Sequence, residues 1–289
     1  MTAAEDLPAA GGATSAAHAE RIAGAAAARR RARPPLLAIR DVTKVFGRDV
    51  VALRGMTLDV RQGDFISLLG PSGCGKSTAL KLISGLIHPT AGRIEWLGGA
   101  SAQDGDLGVV FQEPTLMPWA TVAQNVWLPM RLKGRSFAAC RAEIDEALAT
   151  VGLAGFEAAY PRELSGGMKM RVSIARALVT RPRLILMDEP FAALDEITRF
   201  KLNNDLLEMR AKLDCTVIFV THSVFESVFL SDRIVVMAAR PGRVIRELTV
   251  DEPYPRTEDF RTSADYAAHC RETSAALHEA MGDAPHDDH

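Results

Sequence analysis

Along the 289-residue chain, short apolar runs rich in β-branched residues alternate with stretches in which apolar side chains recur every three or four positions. The first pattern fits strands, and the second fits helices with one buried stripe. Strands are predicted at 36–40, 64–69, 92–97, 107–112, 184–188, 216–221 and 233–238, and helices at 76–86, 122–132, 141–151, 166–180 and 196–213. Strand and helix in turn imply an α/β fold with a mostly parallel sheet, because parallel neighbours need a helical crossover. From Glu113 to Thr180 the strand signal stops, so a helical subdomain at about 113–180 is expected as an insertion into the core. The run Leu184-Ile185-Leu186-Met187 has no polar face and reads as a central strand buried on both sides. Past Val250, Pro253-Tyr254-Pro255 breaks the pattern, and a helix is expected over 267–281 ahead of a polar end at 282–289. The expected organisation is a disordered tail at 1–34, a core domain at 35–250, and a C-terminal helical extension and tail at 251–289.

Composition changes this picture little: 47% hydrophobic, 24% charged and a formal net charge of −2 describe an ordinary globular chain with no bulk attraction to nucleic acid. The cysteines, Cys74, Cys140, Cys215 and Cys270, are scattered and form no C-x-x-C pair, which fits a reducing compartment. No stretch approaches the ~18–20 apolar residues of a membrane span, so work at a membrane would need spans from another chain. Near the N-terminus Arg29-Arg30-Arg31-Ala32-Arg33 follows an Ala-rich run instead of preceding it, the reverse of a secretory signal, and reads as a solvated tail. At the other end His278, His286 and His289 with Asp287 and Asp288 match no ligand spacing and read as a frayed polar end.

The chemistry begins at Gly70-Pro71-Ser72-Gly73-Cys74-Gly75-Lys76-Ser77-Thr78, between a predicted buried strand and a predicted helix. This is a phosphate-binding loop in its proper setting. Its glycines let successive backbone N–H groups turn inward around a triphosphate, Lys76 is placed for the β- and γ-phosphates, and the Ser77 hydroxyl suits Mg²⁺. Asp188 and Glu189 end the central strand, at the carboxyl edge where open α/β sheets hold ligand. There Asp188 is suited to hold Mg²⁺ and Glu189 to deprotonate an attacking water. Leu164-Ser165-Gly166-Gly167-Met168 opens a helix, and free N–H groups at a helix start suit a γ-phosphate. Pro114 to Trp119, with two prolines beside Leu116, Met117 and Trp119, reads either as core or as an exposed apolar edge for a partner helix.

Taken in order, the phosphate loop, Gln112, Ser165-Gly166-Gly167, Asp188-Glu189, Ala193-Leu194-Asp195 and His222 resemble the ATP-binding subunit of ATP-binding cassette (ABC) transporters, over roughly 36–238. The resemblance implies the P-loop NTPase core of that family, with an N-terminal antiparallel β portion and an inserted helical subdomain. It implies ATP and Mg²⁺ as cofactors, with Phe46 stacking on adenine and Gln112 contacting Mg²⁺ and the lytic water. Ser165, Gly166 and Gly167 would close over the γ-phosphate held by an opposite subunit, Asp195 would communicate across that dimer, and His222 would contact the γ-phosphate. A homodimer or paired ATPase subunit, integral membrane permease subunits and, indirectly, a periplasmic solute-binding protein are the implied partners, with no nucleic acid. The implied place is peripheral, on the cytoplasmic face of the inner membrane. Three residues depart from the family pattern: Met168 and Met170 stand where glutamine is usual, and Ser223 where aspartate is.

The segments from Phe111 to Trp119, Asp195 to Arg199, Phe229 to Arg233 and Arg240 to Arg243 are similar to importers of nitrate, sulfonates, taurine and thiamine-pyrimidine precursors. The alternative is a non-transport ABC ATPase of DNA repair, chromosome maintenance or translation. Such relatives carry a long coiled coil or a duplicated core, and the sequence has neither sustained heptads nor a second phosphate loop.

Overall fold

The computed structural model describes residues 32–101, 105–213 and 215–282. A long hairpin of β1 (Pro35–Phe46) and β2 (Val50–Arg61) comes first; after β3 (Phe65–Leu69), β4 (Ala91–Trp96) returns to the free side of β1. These make the expected antiparallel sheet, in the order β2-β1-β4. The second sheet adds β5 (Leu107–Val110), β6 (Leu184–Asp188), β7 (Thr216–Thr221), β8 (Arg233–Ala238) and β9 (Arg243–Thr249) to β3, in the order β5-β6-β7-β3-β8-β9. All its pairings are parallel except β8 with β9.

Alternation along the central strands divides their side chains between two cores. Ile66, Leu68, Leu184, Leu186, Ile218, Val220, Val235 and Met237 face the antiparallel sheet and α1 (Lys76–Ile83). Phe65, Leu69, Ile185, Met187, Val217, Phe219, Ile234 and Val236 face the opposite way, into the core shared with the other helices. With apolar residues on both faces these strands lack polar positions, which is why their periodicity in sequence is a plain run.

Between β5 and β6 lie α2 (Val122–Leu132), α3 (Arg141–Thr150) and α4 (Gly166–Leu178). Thr121 starts α2 with a capping box, its hydroxyl accepting from the Gln124 N–H while the Gln124 side chain accepts from the Thr121 N–H. Past β6 come α5 (Glu196–Leu213), α6 (Val224–Leu230), α7 (Glu258–Thr262) and α8 (Ala264–Gly282).

Several expectations are corrected. The strand expected at 36–40 runs on to Phe46, and the one expected at 107–112 stops at Val110, leaving Gln112 in the following loop. Both β2 and β9 lack a predicted counterpart: Arg54 and Gly55 interrupt the alternation of β2, and β9 is a charged edge strand with Arg243, Arg246 and Glu247. The short helix α6 has only seven residues, too few to show a helical period. Arg33 and Pro34, assigned to the N-terminal tail, are tied down: Arg33 donates to Gly63 O at 2.8 Å and Pro34 O accepts from the Gln62 N–H at 2.9 Å. Residues 1–31 of that tail, and the C-terminal His286, Asp287, Asp288 and His289, lie outside the described residues.

One guanidinium fastens the C-terminal extension. Arg256 is 5% exposed and donates to the carbonyls of Val228, Phe229, Ser231 and Val250 at 2.9–3.1 Å, so it caps the C-terminal end of α6. Its plane lies over Tyr254, which is also stacked on Arg210 at 3.6 Å. Burial pushes the Tyr254 phenol up to about 12. Arg256→Ala would strand several buried carbonyls and open a cavity. It is expected to cost about 3 kcal/mol or more, a fall of roughly 10 °C in thermal unfolding for a chain of this size.

Candidate nucleotide-binding site

Leu69 ends β3, and the chain turns at once into the phosphate loop before α1 begins at Lys76. Gly73 at φ +78° and Gly75 at φ +89° supply the left-handed residues that wrap the loop. Close packing makes the same demand at its base. A Cβ on Gly70 would meet Met237 O at 2.5 Å, and one on Gly75 would meet Ala52 O at 2.7 Å.

Lys76 lies folded against the loop, 5% exposed. Its ammonium donates to Gly70 O at 2.8 Å and Pro71 O at 3.1 Å, and stands 3.8 Å from Glu189 Oε1. The Ser77 hydroxyl donates to Asp188 Oδ1 at 3.0 Å. Burial pushes the Asp188 carboxyl up, and the Ser77 hydrogen bond pulls it back. An oxygen pair of this kind, one hydroxyl and one carboxylate short of positive charge, suits a hard divalent cation.

Glu189 sits at φ +45°, a strained conformation for a residue with a side chain. Its N–H donates to Val220 O at 3.1 Å, which anchors the turn to β7. Its other carboxylate oxygen is 3.3 Å from His222 Nδ1, and His222 is half exposed at the end of β7. Ala52, Ser72, Gly73, Gly75, Lys76, Ser77, Thr78 and Glu189 line a cleft of about 260 Å³. Phe46, 42% exposed, ends β1 opposite Val50, two residues before Ala52, and is not itself among the residues lining the cleft. Cys74 is buried beneath the loop.

The structure thus brings the phosphate loop, Asp188, Glu189 and His222 together. Gln112 is exposed two residues past β5, at the same carboxyl edge of the sheet as Asp188. Ser165, Gly166 and Gly167 belong to another surface. Ser165 caps α4 by accepting from the Met168 N–H, and a Cβ on Gly167 would press on Thr198 at 2.8 Å. Thr198 also holds Asp195, giving its carboxylate a hydroxyl at 2.7 Å and an N–H at 2.9 Å; these bonds hold the Asp195 carboxyl below its usual range. Ser165, Gly166 and Asp195 are therefore exposed around the buried Gly167, and none of them lines the cleft at the phosphate loop of their own chain.

The departures have structural accounts. Met170 is 2% exposed and fills the helical core, with Met168 packed on the same cluster. Ser223 caps α6 by accepting from the Glu226 N–H at 3.3 Å, the bond an aspartate there could make. Two residues in the helical segment carry no signal in sequence yet brace the loop after Gln112. Arg176 donates to Pro114 O at 2.8 Å and Thr115 O at 2.9 Å, and the buried Asn125 holds Met117, Ala120 and Thr121. The braced loop leaves Trp119 77% exposed, which decides its reading: it is not core.

Comparisons with known proteins agree with this geometry. The family model for the ABC transporter matches residues 53–192. The nitrate import ATP-binding protein NrtD of Synechocystis sp. is 44% identical over 236 residues, covering 78% of this chain and 88% of its own. The aliphatic sulfonates import ATP-binding protein SsuB of Bacillus licheniformis is 44% identical over 225 residues, 76% of this chain and 87% of its own. A dimeric structure of a post-hydrolysis state of the ATP-binding cassette MJ0796, bound to ADP and Pi, superposes with a TM-score of 0.63 at 33% identity, covering 74% of this chain and 99% of that one. The chain belongs to the ABC transporter family as an ATP-binding subunit, an ATPase whose turnover serves transport. No helix among the described residues is long and apolar enough to cross a membrane.

The loop geometry makes a prediction of its own. Gly75→Ala combines a left-handed φ with a backbone clash, so the loop must move, and ATP affinity in equilibrium titration is expected to fall at least ~10-fold. Gly47→Ala, at φ +61° with open space around it, bears only the backbone strain and leaves ATP affinity unchanged.

Proposed function

We propose that this chain energises an importer for a small anionic solute of the nitrate or sulfonate kind, taurine and pyrimidine-type precursors being further candidates. The observation that carries the ATPase chemistry is the single cleft in which Lys76, Ser77, Asp188, Glu189 and His222 meet. The solute class rests on the likeness to both NrtD and SsuB. A non-transport role in repair or translation is not favoured by relatives of that kind.

In this reading residues 35–250 are the ATPase core, about 113–180 its helical subdomain, and 251–282 an extension. The phosphate-loop N–H groups and Lys76 cradle the β- and γ-phosphates, Phe46 takes the adenine, and Ser77, Asp188 and Gln112 would hold Mg²⁺, which when bound supplies charge neutralisation to the phosphates. Glu189, flanked by Lys76 and His222, takes the proton of the attacking water, and His222 steadies that carboxylate and the γ-phosphate. Ser165, Gly166 and Gly167, with Asp195 beside them, close over the nucleotide of a second copy. The assembly would sit peripherally on the cytoplasmic face of the inner membrane against permease subunits, fed by a periplasmic binding protein.

Deleting the protein in its host and measuring uptake of labelled nitrate, alkane sulfonate and taurine tests the solute class; unimpaired uptake of all of these would sink it. Glu189→Gln is expected to keep ATP binding while lowering turnover about 10²–10⁴-fold, the range for a lost general base. Near-normal hydrolysis would remove Glu189 from that role. Trp119→Ala should weaken co-purification with the membrane subunits and lower partner-stimulated ATPase. Its thermal stability and basal ATP binding should stay unchanged, because the ring is exposed.

A further inference from the structure

Behind His222 lies a charged pair, a buried Glu226 and a half-buried Arg199, that the chemistry above does not use. Glu226, on the first turn of α6, is 8% exposed. One of its carboxylate oxygens accepts the Thr221 hydroxyl at 2.5 Å, and Thr221 Oγ1 in turn accepts the Ser223 N–H at 3.0 Å. The Glu226 N–H donates to Ser223 Oγ at 3.3 Å. Both neighbours of His222 are therefore fastened to Glu226, and the histidine stands on a closed ring of hydrogen bonds.

The other Glu226 oxygen is buried and accepts no hydrogen bond; 3.7 Å away stands Arg199 Nε, likewise buried and without an acceptor. The far end of the same guanidinium donates to Leu194 O at 3.1 Å and reaches Ala192 O at 3.5 Å. Those carbonyls belong to the turn that ends in Asp195, whose partner Thr198 packs on Gly167. Burial pushes the Glu226 carboxyl up, and the Thr221 hydroxyl and the Arg199 charge pull it back. The planar guanidinium thus spans the gap, hydrogen-bonded to the backbone of the turn at one end and ion-paired with the Glu226 carboxylate at the other.

We propose that Arg199 and Glu226 are a positioning pair that ties the seat of His222 to the Ala192–Asp195 turn, so that hydrolysis answers to what presses on that turn. The inference rests on the reading in which His222 and Glu189 act on ATP and a second copy of the chain closes against Asp195. Movement of the turn by a fraction of an ångström shifts Arg199, and through Glu226 the rotation of Thr221 and Ser223 about His222. Neither residue of the pair lines the cleft. Their loss should appear in the rate of turnover and not in substrate binding.

The test uses the full chain in complex with its membrane subunits, with ATPase kinetics, equilibrium ATP titration and thermal unfolding for each variant. Glu226→Gln keeps the acceptor for Thr221 and removes the charge; Arg199→Ala removes the other end. Each is expected to lower kcat about 10–100-fold, the size of effect that a small misplacement of a reacting group produces. The KM for ATP should stay within about twofold of wild type. The double variant should lose no more than the worse single, since either change breaks the same link. Wild-type kcat in Glu226→Gln, or losses that multiply in the double variant, would overturn the pair. So would activity losses that follow a fall of several degrees in melting temperature. Glu189→Gln separates the two levels: if it hydrolyses normally, the site reading itself fails, and if it is dead while Glu226→Gln is normal, only the positioning pair does.

Discussion

Parallel register at the middle of the large sheet governs everything at the site. Leu69 of β3 lies opposite Thr221 of β7, and Asp188 of β6 lies opposite Val220. Three strands thus end along one line, and the phosphate loop, Glu189 and His222 each begin at that line. Shifting any one strand by a residue would turn its side chains to the other core and move the site residue at its end by about 3.3 Å. The register is held because each of these strands is buried on both faces by two different clusters of apolar side chains.

The two ends of these strands do opposite work. At the amino ends, charges are paired and buried: Asp232 accepts the Phe65 N–H at 3.0 Å and Arg210 at 2.6 Å, while Arg233 bridges Asp64 and Glu247. Removing one partner there leaves a buried charge alone, which is costly. At the carboxyl ends the groups are held under tension. Lys76 is turned onto carbonyls of its own loop, Asp188 is a desolvated carboxyl, and Glu189 occupies a left-handed backbone conformation. Such strain and desolvation persist only because the sheet beneath is rigid.

Around this fixed line, the elements that would report to other chains are braced from outside it. Arg176 and Asn125, both from the helical segment, hold the loop after Gln112, so exposed Trp119 is presented on a stiff support. Arg256 reaches from the C-terminal extension to the carbonyl end of α6, the helix whose first turn fixes the residues either side of His222. Extension, His222 and the Asp195 turn therefore share one packed unit. Hydrogen bonds join the extension to the seat of His222, and the Arg199–Glu226 ion pair at 3.7 Å joins that seat to the turn.

Legibility in the sequence followed the range of the interactions. The phosphate loop, the strands 184–188, 216–221 and 233–238, and the helices 122–132 and 196–213 depend on neighbours a few residues apart, and their bounds agree with the structure. Short-range signals also carried Leu164–Met168 as a helix start and Asp188-Glu189 as a strand end. By contrast, β2 and β9 are strands because of the partners they meet, and α6 is a helix because Ser223 caps it and Arg256 closes it from 26 residues beyond Leu230. Whether Trp119 is core or surface, and which residues stand behind His222, could not be read from spacing at all. Arg199 and Glu226 are ordinary helix residues until the fold sets β7 and α6 beside the Asp195 turn. The amino-acid sequence by itself determined the chemistry of the cleft, because that chemistry is written in contiguous motifs; only tertiary structure decided how the cleft is held, because burial and long-range pairing exist only once the chain has folded.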